Sequence, residues 1–218
     1  DESIPRKKTN EKKLSEDGKM SDKFITEPEH GEDSIIIGND RASFSGDVNI
    51  FGERIEEQTE RLRKLSPFGK YSTYKLFKMI VKSGEDLRQE QFATQLINEF
   101  NQIFKIEKVD CWLNTYEIIS TGTNCGLIEV VPNAISLDQL FRRLNSESSL
   151  LSFYRSYFGP TNGSKYKKAM NNFIESLAGY SLLCYFLQIK DRHNANILID
   201  NQGHLIHIDF GFMLSNAP

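Results

Sequence analysis

Cysteine is scarce in this chain of 218 residues. Cys111, Cys125 and Cys184 form no CxxC pair and are too few to staple a secreted scaffold, so reduced thiols in a cytosolic protein are expected. Long apolar runs are also missing. The longest charge-free stretch in the second half, Ser176 to Ile189, has 14 residues, short of the roughly 18 to 20 that span a bilayer. It reads as a core helix. No apolar signal segment opens the chain, whose first 30 residues are crowded with Lys, Asp and Glu; any membrane contact is expected to be peripheral. The first residue is not Met and the last are Asn216-Ala217-Pro218, as expected of a fragment.

Net charge is only −3, but it is unevenly divided. Residues 1–60 hold 9 Lys/Arg against 16 Asp/Glu, and residues 61–218 hold 18 against 14. The first segment has few apolar clusters, the longest being Ile35-Ile36-Ile37, and reads as a mostly disordered acidic linker with a short helix beginning near Glu53. The mildly basic remainder suits an anionic ligand.

From Tyr74 the pattern changes. Lys75 to Lys82 reads as a strand closed by Ser83-Gly84. Apolar residues at Leu87, Phe92, Leu96, Phe100, Ile103 and Phe104 predict a helix over Asp86–Lys105. Strands are expected near Cys111–Ser120 and Leu127–Val131, around the turn Thr121-Gly122-Thr123-Asn124, with Pro132-Asn133 ending this unit. Helices are then expected over Leu137–Leu144, Ser149–Tyr157 and about Lys165–Leu187, followed by strands Ile197–Asp200 and Leu205–Ile208. The predicted fold class is therefore α+β: a two-lobed protein-kinase-like fold with a β-rich N-lobe over 61–132 and an incomplete helical C-lobe over 133–218.

The chemistry concentrates in two motifs, Asp191-Arg192-His193-Asn194-Ala195-Asn196 and Asp209-Phe210-Gly211. Phosphoryl transfer asks for carboxylate and amide oxygens that hold Mg²⁺ and for a polar group beside the attacking hydroxyl. Five positions separate Asp191 from Asn196 and thirteen more lead to Asp209, which is the spacing logic of a kinase catalytic loop followed by Asp-Phe-Gly. Here, however, Asp precedes Arg-His instead of following it. In that order the loop resembles the phosphatidylinositol kinases. Lys82-Ser83-Gly84-Glu85-Asp86-Leu87-Arg88-Gln89-Glu90, Gly126-Leu127-Ile128-Glu129-Val130-Val131 and Ala178-Gly179-Tyr180 resemble the same family's ATP-lysine strand, hinge and central helix. Leu187-Gln188-Ile189-Lys190-Asp191 and His204 to Phe212 resemble type III phosphatidylinositol 4-kinases, and the Ser66-Pro67-Phe68-Gly69 entry with the Glu90 ending leans toward the beta form of that type.

The resemblance implies ATP as co-substrate, Mg²⁺ as cofactor and transfer of the γ-phosphate to the 4-hydroxyl of phosphatidylinositol. A 3-kinase, a related protein kinase or a truncated non-catalytic nucleotide-binding product are the alternatives. It implies Lys82 on phosphate with Glu90 as its ion-pair partner, and Glu129 and Val131 as main-chain contacts to adenine. Ile80, Ile128 and Ile208 would wall the adenine slot or serve as plain core, with Tyr116 at the back. Asn196 and Asp209 would hold the metal, Asp191 or His193 would act on the inositol hydroxyl, and Arg192 would be a structural anchor or a phosphate contact. The family's glycine-poor phosphate loop is matched only by Ser66–Tyr71, which carries no Gly-x-Gly-x-x-Gly. Peripheral association with Golgi or other organelle membranes, regulatory protein partners and no nucleic acid complete the expectation.

Other clusters are set aside. His204 and His207 point oppositely on a strand, so a zinc site with Asp209 is not expected. Lys165-Tyr166-Lys167-Lys168 reads as a solvated helix start or a lipid contact, and Trp112 as core.

Overall fold

The structure, a computed structural model, describes residues 50–144 and 149–216. It is a mixture of helix and sheet. The linker expected over 1–60 lies outside the described residues as far as residue 49. Its last part is corrected: Ile50 is 1% exposed, its carbonyl accepts from Arg143 Nη1 at 2.5 Å, and Phe51 packs edge-on against Phe153 and Tyr157. Residues 50 and 51 are thus packed in place by their two apolar side chains. Helix α1 (Ile55–Leu65) follows, tied at its start by Ile55 N–H to Asn133 Oδ1 at 3.0 Å.

Strand β1 (Met79–Ser83) is shorter than the run from Lys75 predicts: after a turn closed by Tyr74 N–H on Tyr71 O, the backbone of residues 75–77 has no hydrogen-bond partner among the described residues. Gly84, at φ +88°, closes it. Helix α2 (Arg88–Ile106) buries Ala93, Ile97, Asn101 and Phe104, a helical spacing that turns one stripe inward. Burying Ile97 and Phe104 contributes roughly 1.5–3 kcal/mol each. Strands β2 (Ile118–Gly122) and β3 (Cys125–Glu129) complete an antiparallel sheet of order β1-β3-β2. The strand expected from Cys111 begins only at Ile118. Before it the chain runs along a helix instead of another strand, with Trp112 N–H on Glu175 O at 3.0 Å, so no ladder forms.

A second antiparallel sheet has the order β4-β5-β6, from Ala134–Ser136, Ile197–Asp200 and Leu205–His207. Ile135, Ile199 and Leu205 lie opposite one another across it and are all buried. Strand β4 is too short to give a sequence signal. Helices α3 (Leu137–Arg143) and α4 (Leu150–Tyr157) are capped by the Ser136 and Ser149 hydroxyls, and α5 spans Ser164–Phe186. At Gly179 the backbone at Trp112 comes close to α5: a Cβ there would lie 2.6 Å from Trp112 O. The next residue, fully buried Tyr180, accepts from Asn114 N–H at 3.3 Å and offers its hydroxyl to Asn114 O.

Two apolar cores result. One joins α2 to α5 through Leu87, Ile97, Tyr116, Leu183, Ile206 and Phe210. The other gathers Ile50, Leu140, Phe153, Tyr154 and Ile199. Among the described residues no helix is long and apolar enough to cross a membrane. The cysteines are free thiols.

Candidate active site

After α5 ends at Phe186 the chain turns sharply, with Gln188 at φ +49° and Asp191 at φ +58°. The turn is held by the segment beyond Asp209-Phe210-Gly211: Lys190 N–H donates to Phe212 O at 3.0 Å and Leu214 N–H to Leu187 O at 2.9 Å. Both motifs therefore fold as one unit.

Arg192 locks them together. Its Nε donates to Lys190 O at 2.8 Å, its Nη1 to Ile208 O at 2.6 Å and its Nη2 to Asp209 O, while the guanidinium lies 5.7 Å from the Phe210 ring centre. A planar fork suits several carbonyls of a backbone that has no ladder partner. Burial draws its pKa down from the usual arginine range, and nearby Cys184 and the carboxylates of Asp209 and Asp191 oppose that. Of the two readings left open, the anchor is the one the geometry supports.

Asn196 is 7% exposed, and its Nδ2 donates to Asp191 O at 3.1 Å, which leaves Oδ1 for another partner. Its own carbonyl accepts from Ile208 N–H at 3.1 Å, so Asn196 lies against the residue preceding Asp209. Asp209 sits at φ +61°, a left-handed conformation that short polar residues tolerate better than most. It is exposed, with Oδ1 accepting from Gly211 N–H at 3.3 Å.

His193 Nδ1 accepts from Ala195 N–H at 3.2 Å, and Nε2 lies 3.8 Å from Asp191 Oδ2. In the neutral ring that arrangement puts the proton on Nε2, facing the carboxylate.

The Phe-Gly pair is fixed from the other side. Phe210 is fully buried, and Gln89 of α2 donates from Nε2 to Phe210 O at 3.2 Å and Gly211 O at 2.8 Å. Asn216 Nδ2 bridges Gln89 Oε1 and Gly211 O at 3.3 and 3.1 Å. The sequence reading assigned neither residue a role. Gln89 lies within a quoted motif, but its partner is 122 positions away and no local pattern joins them.

The expected ion pair of Lys82 with Glu90 is not formed. Lys82 Nζ instead lies 3.0 Å from Glu85 Oε2, because the turn at Ser83-Gly84 returns Glu85 to the strand end without any shift of α2. Glu90 is half-buried; burial raises its pKa first, the charge of Asp209 next, and Lys82 partly offsets both. Glu90 thus feels the charges of both Asp209 and Lys82. Lys82 and Ile80 share a sheet face, for Ile80 pairs Ile128 and Lys82 pairs Gly126. A Cβ on Gly126 would meet Leu87 at 2.7 Å, so this face abuts the start of α2.

Tyr116 is 5% exposed, and burial, then nearby Tyr180, Glu90 and Asp209, push its hydroxyl well above the usual tyrosine range. Ile128 and Ile208 are partly buried against the same core, whereas Ile80 is 46% exposed. Glu129 N–H is occupied by Glu117 O at 2.8 Å, while Val131 N–H has no partner among the described residues. His204 bonds Asp200 at 2.8 Å and stacks on Trp112, and His207 stacks on Tyr180 beside Cys184. The two histidines diverge, as expected.

Residues 76–218 match the family described as phosphatidylinositol 3- and 4-kinase. The chain belongs to that family. Among relatives, it is 48% identical over 77% of its length to "Phosphatidylinositol 4-kinase" of Dictyostelium discoideum, covering 14% of that protein. It is 43% identical over 84% of its length to "Phosphatidylinositol 4-kinase PIK1" of Saccharomyces cerevisiae, covering 18% of it. Over 78% of its length it is 47% identical to "Phosphatidylinositol 4-kinase beta 1" of Arabidopsis thaliana, covering 15%. It thus spans less than a fifth of the length of these phosphatidylinositol kinases.

A divalent cation suits the oxygens present in this family member. Asp209 offers a carboxylate with one oxygen not committed within the described residues, and Asn196 an amide oxygen. Among the described residues no three His, Cys, Asp or Glu converge as a metal site. Two hard donors fit an ion that completes its shell with water and phosphate.

Proposed function

We propose that this chain is the ATP- and metal-binding part of a lipid kinase that transfers the γ-phosphate of ATP to the 4-hydroxyl of phosphatidylinositol. The observation that carries this reading is the Ile208 N–H to Asn196 O hydrogen bond, which holds the residue before Asp209 against Asn196, whose amide in turn bonds the Asp191 carbonyl. The names of the relatives favour a 4-kinase over a 3-kinase or protein kinase. In this reading residues 61–132 form the N-lobe with the hinge and 133–218 the first part of the C-lobe.

Asn196 and Asp209 would hold Mg²⁺, which when bound neutralises charge on the ATP phosphates. Lys82 leaves Glu85 for phosphate, with Glu90 as its second carboxylate. Val131 N–H donates to adenine, the Glu129 carbonyl accepts from it, and Ile80, Ile128 and Ile208 flank the base with Tyr116 behind. Asp191 takes the inositol proton, because a neutral His193 holds its proton on Nε2 and spends Nδ1 on Ala195. His193 orients that carboxylate. The substrate lipid implies peripheral attachment to Golgi or other organelle membranes, with regulatory partners.

The test is incubation of the complete protein with Mg-ATP and phosphatidylinositol, followed by separation of product isomers. A 4-phosphate product is expected. A 3-phosphate, or labelled protein without labelled lipid, contradicts the reading.

A further inference from the structure

Residues 61–78 hold six Arg/Lys and no Asp or Glu, interleaved with Leu62, Leu65, Phe68, Tyr71, Tyr74, Leu76 and Phe77. The apolar members are not all tucked away: Leu65 is 75% exposed, Phe68 66% and Phe77 72%. Arg63, Lys64 and Lys70 line an open cleft of about 420 Å³ at the end of α1, with Glu60 on its wall. Glu60 is engaged by Lys64 at 3.4 Å, and Glu53 by Arg61 at 2.7 Å. Arg61 hydrogen-bonds Glu53, whose pKa is held low by that bond first and by the charges of Arg61 and, at longer range, Lys78 as well. Lys70, Lys75 and Lys78 make no ion pair with a described residue. Helix α1 buries none of its residues, so this basic end is an outer surface.

We propose that this surface, residues 61–78, docks on an anionic membrane. Protruding Leu and Phe among lysines suit the headgroup boundary, where rings and aliphatic chains enter while ammonium groups stay with lipid phosphates. A nucleic acid would gain little from Leu65, and the open cleft, lined mostly by charged and polar residues, gives an apolar side chain of a protein partner no seat. The proposal deepens the reading of a membrane-lipid substrate by naming the face that meets the lipid. It differs from the Lys165–Lys168 cluster.

The experiment is co-sedimentation of the full 218-residue chain with phosphatidylcholine vesicles, with and without about 30 mol% phosphatidylserine. Selective pelleting with the anionic vesicles is expected. Each of Lys70→Gln, Lys75→Gln and Lys78→Gln should weaken partitioning on the order of fivefold. Phe68→Ser should weaken it without changing its salt dependence, whereas joint Lys165→Gln, Lys167→Gln and Lys168→Gln should leave it unchanged. Circular dichroism and Mg-ATP affinity, read on each variant, separate this surface from the nucleotide site. Vesicle binding without Mg-ATP binding would defeat the kinase reading and leave the surface standing. No preference for anionic vesicles, equal loss from the Lys165–Lys168 set, or binding to single-stranded oligonucleotide or polyglutamate but not vesicles would overturn the proposal.

Discussion

Gln89 Nε2 lies 2.8 Å from Gly211 O, so helix α2 holds the main chain that carries Asp209. Gln89→Met keeps the length of the side chain and removes its donor and acceptor. Losing these bonds should cost about 1–2 kcal/mol of stability, read by urea titration. ATP affinity should fall more in Mg²⁺ than in EDTA if Gln89 positions the metal carboxylate. An equal fall in both conditions leaves it a packing residue only.

Arg192→Lys tests the anchor. An ammonium cannot span the carbonyls of Lys190, Ile208 and Asp209 as a fork does, so the variant should lose on the order of 2 kcal/mol in denaturation despite keeping its charge. Unchanged stability would mean that the fork is dispensable.

Gly179→Ala places a methyl 2.6 Å from Trp112 O. Backbone cannot yield as a side-chain tip does, and a loss of roughly 1–3 kcal/mol is expected in the same titration. Ala at nearby exposed Ser181 serves as the neutral comparison.

His207 gives stability a pH dependence. Burial, and then the charge of Arg192, push its pKa down to about 4 from 6.5. The unfolded chain takes up the proton first, so this contribution is intact above 6.5 and declines as pH falls toward 4. The full loss is on the order of 3 kcal/mol, of which about 1 kcal/mol appears between roughly pH 7.5 and 5.5. His207→Phe, which keeps a ring on Tyr180, should flatten that slope. An unchanged slope assigns it to other groups.

Much of this was legible in the chain itself. Apolar spacing outlined α2, and the order Asp191-Arg192-His193 with Asp209-Phe210-Gly211 marked the site, because local periodicity and short motifs are written in neighbouring residues. What escaped depends on distant or fine geometry. Glu85 takes Lys82 through a turn whose closure the spacing does not encode. Gln89 meets Gly211 across 122 positions. Three-residue β4 has no period to detect, and Ile50 is buried at the end of a segment whose average composition is polar.

The central claim is that Asp209 and Asn196 hold the metal that brings ATP to this chain. Calorimetric titration of ATP into the wild-type chain and Asp209→Ala, each in Mg²⁺ and in EDTA, tests it directly. The wild-type chain should bind ATP more tightly with Mg²⁺ than without, and Asp209→Ala should lose that difference. A variant that keeps the full Mg²⁺-dependent gain would contradict it.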